Sequence, residues 1–212
     1  MPRKKTMNYE RTKRLIDIAV AIVSAPLWLP VMAIVAITVF STMGRPVFFV
    51  QSRTGLHGNV FRIIKFRTMR DGDNPEEERI TALGRFLRKT GLDEIPQVLN
   101  VIMGDMSIIG PRPLLPEYLP LYTDEQKRRH NIRPGVTGWA QINGRNAVTW
   151  EERLEMDTWY ADHISFALDA KISAKTIMRL VMAPFSRSSG DERIMPLFTG
   201  KKSGGAPPRH QE

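Results

Sequence analysis

Ile18-Ala19-Val20-Ala21-Ile22-Val23-Ser24-Ala25-Pro26-Leu27-Trp28-Leu29-Pro30-Val31, continuing without a charge to Gly44, is the stretch whose reading decides the fold. An uncharged run of this length is read first as a membrane helix. Pro26 and Pro30 lie inside it, and each removes a helix hydrogen bond and favours a kink or break. Basic residues flank both ends: Arg3, Lys4, Lys5, Arg11, Lys13 and Arg14 before it, Arg45, Arg53, Arg62, Lys65 and Arg67 after it. Positive charge prefers the cytoplasmic side, so both ends want the same side. A helix that enters the membrane, bends at Pro26 and Pro30 and returns meets both demands. A signal peptide, a simple span and a buried soluble hairpin compete with this reading. The first is disfavoured by length and the lack of a small-x-small cleavage site, the second by the charge rule, and the third by the length of the run.

The chain has 212 residues and 42% apolar content, enough for one domain with a real core. With 31 basic and 22 acidic residues it carries a net charge of +9, which points to an anionic partner: nucleic acid, lipid headgroups or a phosphorylated substrate. The lack of cysteine excludes disulfides, thiolate metal sites and cysteine nucleophiles. Four histidines without HExxH-type spacing give a zinc site little support. No P-loop or dinucleotide-binding glycine motif occurs, and no nucleic-acid-binding motif is recognisable, so no nucleic-acid partner is expected.

Downstream of Gly44, Val47–Gln51 and Val60–Phe66 are β-rich and flank Gly55-Leu56-His57-Gly58, predicting a short hairpin with Arg53, Lys65 and Arg67 on a basic edge. Glu77–Lys89 places Ile80, Leu83, Phe86 and Leu87 on one side and arginines around the other, predicting an amphipathic helix. Then comes Thr90-Gly91-Leu92-Asp93-Glu94-Ile95-Pro96-Gln97. Two adjacent carboxylates follow a glycine turn and open a second apolar run, so Asp93 is expected to cap a helix beginning at Ile95. It could be only a cap. Arg88, five residues earlier, is close enough to reach the same pocket. Gly110-Pro111-Arg112-Pro113 holds an arginine on a stiff loop, a form suited to phosphate recognition. Arg133–Asn146 is predicted as a loop-rich run of glycines, amides and Arg145. Between Trp159 and Val181, aromatic and aliphatic residues interleave with Lys171, Lys175 and Arg179, which fits either an interfacial helix or a core-facing one. From Ser186 on, composition favours disorder.

These residues together resemble the bacterial sugar transferases of the monotopic phosphoglycosyl transferase family, in the small form that is little more than a catalytic domain. The similarity runs from Lys13 to Val181. It is carried by Lys13-Arg14-Leu15-Ile16-Asp17, Lys65-Phe66-Arg67-Thr68-Met69, Leu92-Asp93-Glu94, Gly104-Asp105-Met106-Ser107, Gly110-Pro111-Arg112-Pro113 and the run from Arg133 through Trp139 to Asn146. One departure is Leu29-Pro30 where relatives often carry Ser-Pro at the membrane bend.

The resemblance implies an α+β fold: a mainly helical catalytic domain (45–184) with a short β-hairpin, an N-terminal re-entrant membrane helix (1–44), amphipathic interfacial helices, and a disordered tail (185–212). It implies transfer of a sugar 1-phosphate from a UDP-sugar to polyprenyl (undecaprenyl) phosphate at the cytoplasmic face of the bacterial inner membrane, with Mg²⁺ as cofactor and membrane lipids as further partners. Asp93 would be the nucleophile and a metal ligand, with Glu94 its partner. Arg88, Arg112, Lys65 and Arg67 would bind phosphate, and Gln141, Asn143, Arg145 and Asn146 the nucleotide sugar. Similarity over Leu114–Tyr122 points to an N-acetylated amino sugar. The alternative is a non-catalytic basic peripheral membrane protein. Oligomeric state is not legible, a homodimer being one candidate.

Overall fold

The computed structural model describes residues 4–144, 148–182 and 197–200. Two helices open it, α1 (Lys4–Val23) and α2 (Ala25–Met43), separated at Ser24. The break lies at Ser24-Ala25-Pro26 rather than at Leu29-Pro30. Pro26 sits in the first turn of α2, where its missing N–H costs nothing, and Pro30 is carried inside the helix. Carbonyls near the break are satisfied locally: Trp28 Nε1 donates to Ala21 O at 2.9 Å, with Ser24 Oγ at 3.4 Å from the same oxygen, and Ser24 Oγ joins its own backbone N–H in donating to Val20 O. A serine therefore does serve the break, two positions ahead of Pro26. In an apolar environment such internal satisfaction is obligatory.

Both arms return to the same body. On α1, Lys13 Nζ donates to Asp169 Oδ2 at 2.7 Å, Ser107 Oγ donates to Asp17 Oδ2 at 2.7 Å, and Arg14 reaches the Val101 and Ile102 carbonyls. On α2, Val35 and Val39 are buried against Phe66 and Leu87. Between residues 18 and 34 only Ala21 is buried. By length and composition α2 could cross a membrane.

Strands β1 (Phe48–Thr54) and β2 (Val60–Phe66) form the expected antiparallel hairpin, with Arg53 opposite Phe61 and Phe49 opposite Lys65. Directly opposed residues share a face, so Arg53 and Lys65 project to the same side as buried Ile63. The expected helix over Glu77–Lys89 is in two pieces, α3 (Glu76–Arg79) and α4 (Ala82–Thr90). Ile80 is drawn into a bridge with Met69, and Thr81 restarts the helix by accepting from Gly84 N at 2.9 Å. Helix α4 ends on Gly91 at φ 74°. Next comes α5 (Gln97–Met103), whose buried Asn100 fixes it to β2: Ile64 N donates to Asn100 Oδ1, and Asn100 Nδ2 donates to Arg62 O.

Two segments expected as loops contain a short parallel pair, β3 (Ser107–Ile109) with β4 (Gly135–Thr137). Apolar alternation over three residues is too short a signal to read from sequence. Beyond β3 come α6 (Asp124–Lys127), and after β4 come α7 (Trp139–Asn143), α8 (Trp150–His163) and α9 (Phe166–Met182). A Cβ on Gly138 would lie 2.1 Å from Gly110 O, so glycine is required where the two segments cross. Ile109, Ile132, Ile142, Tyr160 and Ile172 join β3 to α7, α8 and α9 in one core cluster. The first half of α9 packs inward through Asp169 and Ile172, as a core-facing helix does, while Ile177, Leu180 and Val181 are exposed. Phe198 packs against Tyr118, Tyr122 and Trp150. Apart from 197–200, the segment expected to be disordered lies outside the described residues from 183 on.

Candidate active site

Asp93 and Glu94 lie in a single 3₁₀ turn, Leu92–Glu94, between Gly91 and α5. This corrects the expectation that Asp93 caps a helix starting at Ile95. Pro96 has no N–H to continue an α-helical ladder, so the chain makes i to i+3 bonds, Glu94 N to Gly91 O and Ile95 N to Leu92 O, and the helix begins only at Gln97. Leu92 packs on the Phe66–Leu87 cluster and fixes the turn.

The two carboxylates meet opposite environments. Glu94 Oε1 accepts from Lys65 Nζ at 2.6 Å and from Arg112 Nη2 at 3.0 Å. Burial works against its charge, but Arg112 and then Lys65 overcome that and hold Glu94 well below the usual carboxylate range. Asp93 is 8% exposed and makes no hydrogen bond or ion pair among the described residues. Burial first, and the neighbouring Glu94 charge second, push its carboxyl up to about 6 against the pull of Lys65, Arg112 and Arg88. One carboxylate is thus locked as a counter-ion while the other is left uncommitted.

Each expected phosphate ligand has a definite place. Lys65 comes from β2 and Arg112 from the rigid loop after β3, and both converge on Glu94. Arg88, on the last turn of α4, donates through Nε to Thr68 Oγ1 at 3.0 Å and lies within electrostatic reach of Asp93. Arg67 is not part of this cluster. Its guanidinium binds the carbonyls of Met43, Gly44 and Arg45 and the carboxylate of Asp71, tying down the C-terminus of α2. Its position two residues from Lys65 would put it on the same strand face, but β2 ends at Phe66 and the chain turns there.

The expected nucleotide residues are only partly visible. Gln141 and Asn143 lie on α7, a helix where a loop was expected. The Gln141 amide is buried with neither atom paired among the described residues, and Asn143 Nδ2 donates back to Trp139 O. Neither touches the Glu94 cluster. Arg145 and Asn146 lie outside the described residues.

Two features were not assigned to the site from sequence, Arg53 having been placed only on the hairpin's basic edge. Arg53 lines the pocket formed by Lys65, Glu94, Gln97 and Arg112, with Ile63 and Pro113 as its apolar wall. Strand alternation in phase with Lys65 was a usable signal once the hairpin register is known. The second is a support behind Arg112: Arg129 Nη2 donates to Arg112 O at 2.6 Å and to Asp157 Oδ2 at 2.6 Å, with both side chains 1% exposed. No local pattern links residues so far apart in the chain.

Lys65 and Arg112 hold Glu94 with Arg53 beside them in the pocket, and Arg88 acts on Asp93, a cationic setting suited to a diphosphate. The profile of the bacterial sugar transferase family matches residues 8–183. The uncharacterized sugar transferase EpsL of Bacillus subtilis (strain 168) is 49% identical over 177 residues, covering 81% of this chain and 88% of that protein. The UDP-glucose:undecaprenyl-phosphate glucose-1-phosphate transferase of Escherichia coli (strain K12) is 37% identical, covering 79% of this chain and 39% of that longer protein. The UDP-N-acetylgalactosamine-undecaprenyl-phosphate N-acetylgalactosaminephosphotransferase of Aeromonas hydrophila is 36% identical over 82% of this chain and 44% of its own length.

Proposed function

The chain belongs to the bacterial sugar transferase family, and from that premise we propose that it moves a sugar 1-phosphate from a UDP-sugar to polyprenyl phosphate, with release of UMP, through a phosphosugar held on Asp93. The observation that carries this reading is the division of labour between the adjacent carboxylates: Glu94 anchors two cations while Asp93 stays uncommitted. In the first step an Asp93 Oδ–P bond forms to the sugar-linked phosphorus as the P–O bond to UMP breaks, the bond electrons leaving with UMP. In the second, an oxygen of polyprenyl phosphate forms the new P–O bond as the Asp93 Oδ–P bond breaks. Carboxylates serve as covalent nucleophiles in phosphoryl chemistry. The obstacle is repulsion between a carboxylate and a diphosphate, which Arg88, Lys65 and Arg112 offset. Burial also strips Asp93 of competing water and leaves a basic, reactive carboxylate once ionised.

Mg²⁺ fits this proposal in its usual diphosphate mode, bound by one or two carboxylates together with phosphate oxygens and water. No group of three or more acidic or histidine side chains occurs among the described residues, and Asp93 is the uncommitted carboxylate that would hold the ion. It would supply charge neutralisation at the diphosphate.

The helical hairpin supports a re-entrant membrane placement. Its arms are pinned to one body by Lys13, Asp17, Val35 and Val39, while the connecting residues expose apolar side chains such as Ile22, Val23 and Leu27. This would keep the site at the membrane surface, where the acceptor phosphate lies. The relatives differ in donor sugar, glucose in one and N-acetylgalactosamine in another; an N-acetylated amino sugar is the proposed donor here, on the Leu114–Tyr122 similarity. UMP release from a panel of UDP-sugars, with polyprenyl phosphate and Mg²⁺, tests the reading. Release with one donor, lost in Asp93→Asn and on chelation, is expected; no release with any donor from folded protein would sink it.

A further inference from the structure

Arg53 stands apart from the other cations of its pocket. Lys65 and Arg112 share Glu94, but Arg53 forms no ion pair among the described residues. Its Nη2 donates at 2.5 Å to the neutral amide of Gln51, and its buried Nε has no partner. Burial and the nearby Arg112 both disfavour its charge. A half-buried cation beside another cation, with its buried Nε left open, is costly unless a ligand completes it. The guanidinium fork and the second positive charge at Arg112 define that ligand as a phosphate.

The place of Arg53 narrows which phosphate. Arg88 lies within reach of Asp93, at the reacting phosphorus. Arg53 lines the pocket on the Glu94 and Arg112 side, to which neither Asp93 nor Arg88 contributes. The phosphate at Arg53 is therefore the one joined to the reacting phosphorus on the side away from Asp93. In an in-line displacement the leaving group departs opposite the attacking oxygen. When the reaction runs on, the acceptor must attack opposite the Asp93 oxygen, from the direction in which the first leaving group departed.

Resting on the two-step reading above, we propose that Arg53 and Arg112 form one phosphate subsite used twice: first by the nucleotide phosphate of the UDP-sugar, then, after UMP has gone, by the phosphate of the polyprenyl acceptor. Binding of UMP and of acceptor is then mutually exclusive. Arg53 is a binding residue for both and touches neither the bond made at Asp93 nor the sugar.

The test uses the full chain in detergent, as wild type, Arg53→Gln and Arg53→Lys, titrated with UMP and with uridine. Losing one charged fork contact should weaken UMP by on the order of 10- to 100-fold, leave uridine unchanged, and raise the KM for polyprenyl phosphate by a similar factor. Arg53→Lys should fall between. UMP should compete with polyprenyl phosphate in the wild type. UMP affinity within twofold of wild type in Arg53→Gln would overturn the proposal, as would an equal loss of uridine binding, which would mark a structural role. An effect on only one of the two phosphates would overturn the shared subsite and tell which ligand Arg53 serves. The parent reading fails separately, by an Asp93→Asn variant that still releases UMP; if that variant is dead while Arg53→Gln binds UMP normally, only the subsite falls.

Discussion

Asp93→Asn should abolish turnover and yet make the protein more stable. In the wild type, burial and the Glu94 charge raise the Asp93 carboxyl from 3.8 to about 6. Each tenfold in proton affinity is worth about 1.4 kcal/mol, so keeping this group ionised costs the fold up to on the order of 3 kcal/mol. Relaxation and water around the pocket reduce that to on the order of 2 kcal/mol. The sign follows from linkage. Below the unfolded value both states carry the proton and nothing is lost. Between that value and about 6 the unfolded state has lost its proton while the native state keeps it, so stability falls as pH rises, and the loss is complete above about 6. Asparagine escapes this cost, so its advantage should be full above about pH 6 and fade towards pH 4. For a chain of this size 2 kcal/mol corresponds to a rise in Tm of about 4–8 °C. Thermal unfolding of detergent-solubilised wild type and Asp93→Asn at pH 7.5 and 4.5 reads both quantities. A lower Tm for Asp93→Asn at pH 7.5, or a gain independent of pH, would refute the argument. Glu94→Gln supplies the opposite sign: it strips the counter-ion from Lys65 and Arg112 and should destabilise at neutral pH.

The kcat/KM for the UDP-sugar should rise with pH through about 6 as Asp93 ionises, measured as initial UMP release at subsaturating donor; a profile flat from pH 5 to 8 would count against Asp93 as the nucleophile. Breaking the pair behind Arg112 by Asp157→Ala should cost about 3–5 kcal/mol, because Arg129 is left buried and unpaired, whereas joint Arg129→Met and Asp157→Leu should restore stability but not full activity, since Arg112 O loses its donor. In Gly84→Ala the new Cβ would meet Thr68 O at 1.9 Å; a loss of about 2 kcal/mol in denaturant unfolding is expected, with a fall in kcat because Thr68 holds Arg88.

Much of this arrangement is legible in the chain. The uncharged stretch with its prolines, the β-hairpin and the Asp93-Glu94 pair are local patterns, and local patterns survive into three dimensions. The site of the helix break was misplaced because the prolines were weighed and Ser24 was not; its hydroxyl and the Trp28 indole satisfy the carbonyls at the break. Arg67 was expected beside Lys65 because the two are close in sequence, but the end of β2 sends it to the carbonyls at the close of α2. Arg53 required knowledge of the hairpin register, and the Arg129–Asp157 support required tertiary contacts between segments 28 residues apart. What sequence could not rank was which of many arginines share a pocket, since in a chain with 31 basic residues cationic character alone selects nothing.

The account rests on Asp93 carrying the phosphosugar, and mass spectrometry of the loaded enzyme addresses that directly. Wild-type protein incubated with its UDP-sugar and Mg²⁺ but no acceptor, then quenched, should gain the mass of one sugar phosphate on the peptide containing Asp93. The adduct should disappear when polyprenyl phosphate is added and be absent from Asp93→Asn. Full turnover with no adduct at Asp93, in an enzyme whose Asp93→Asn variant still releases UMP, would contradict the account.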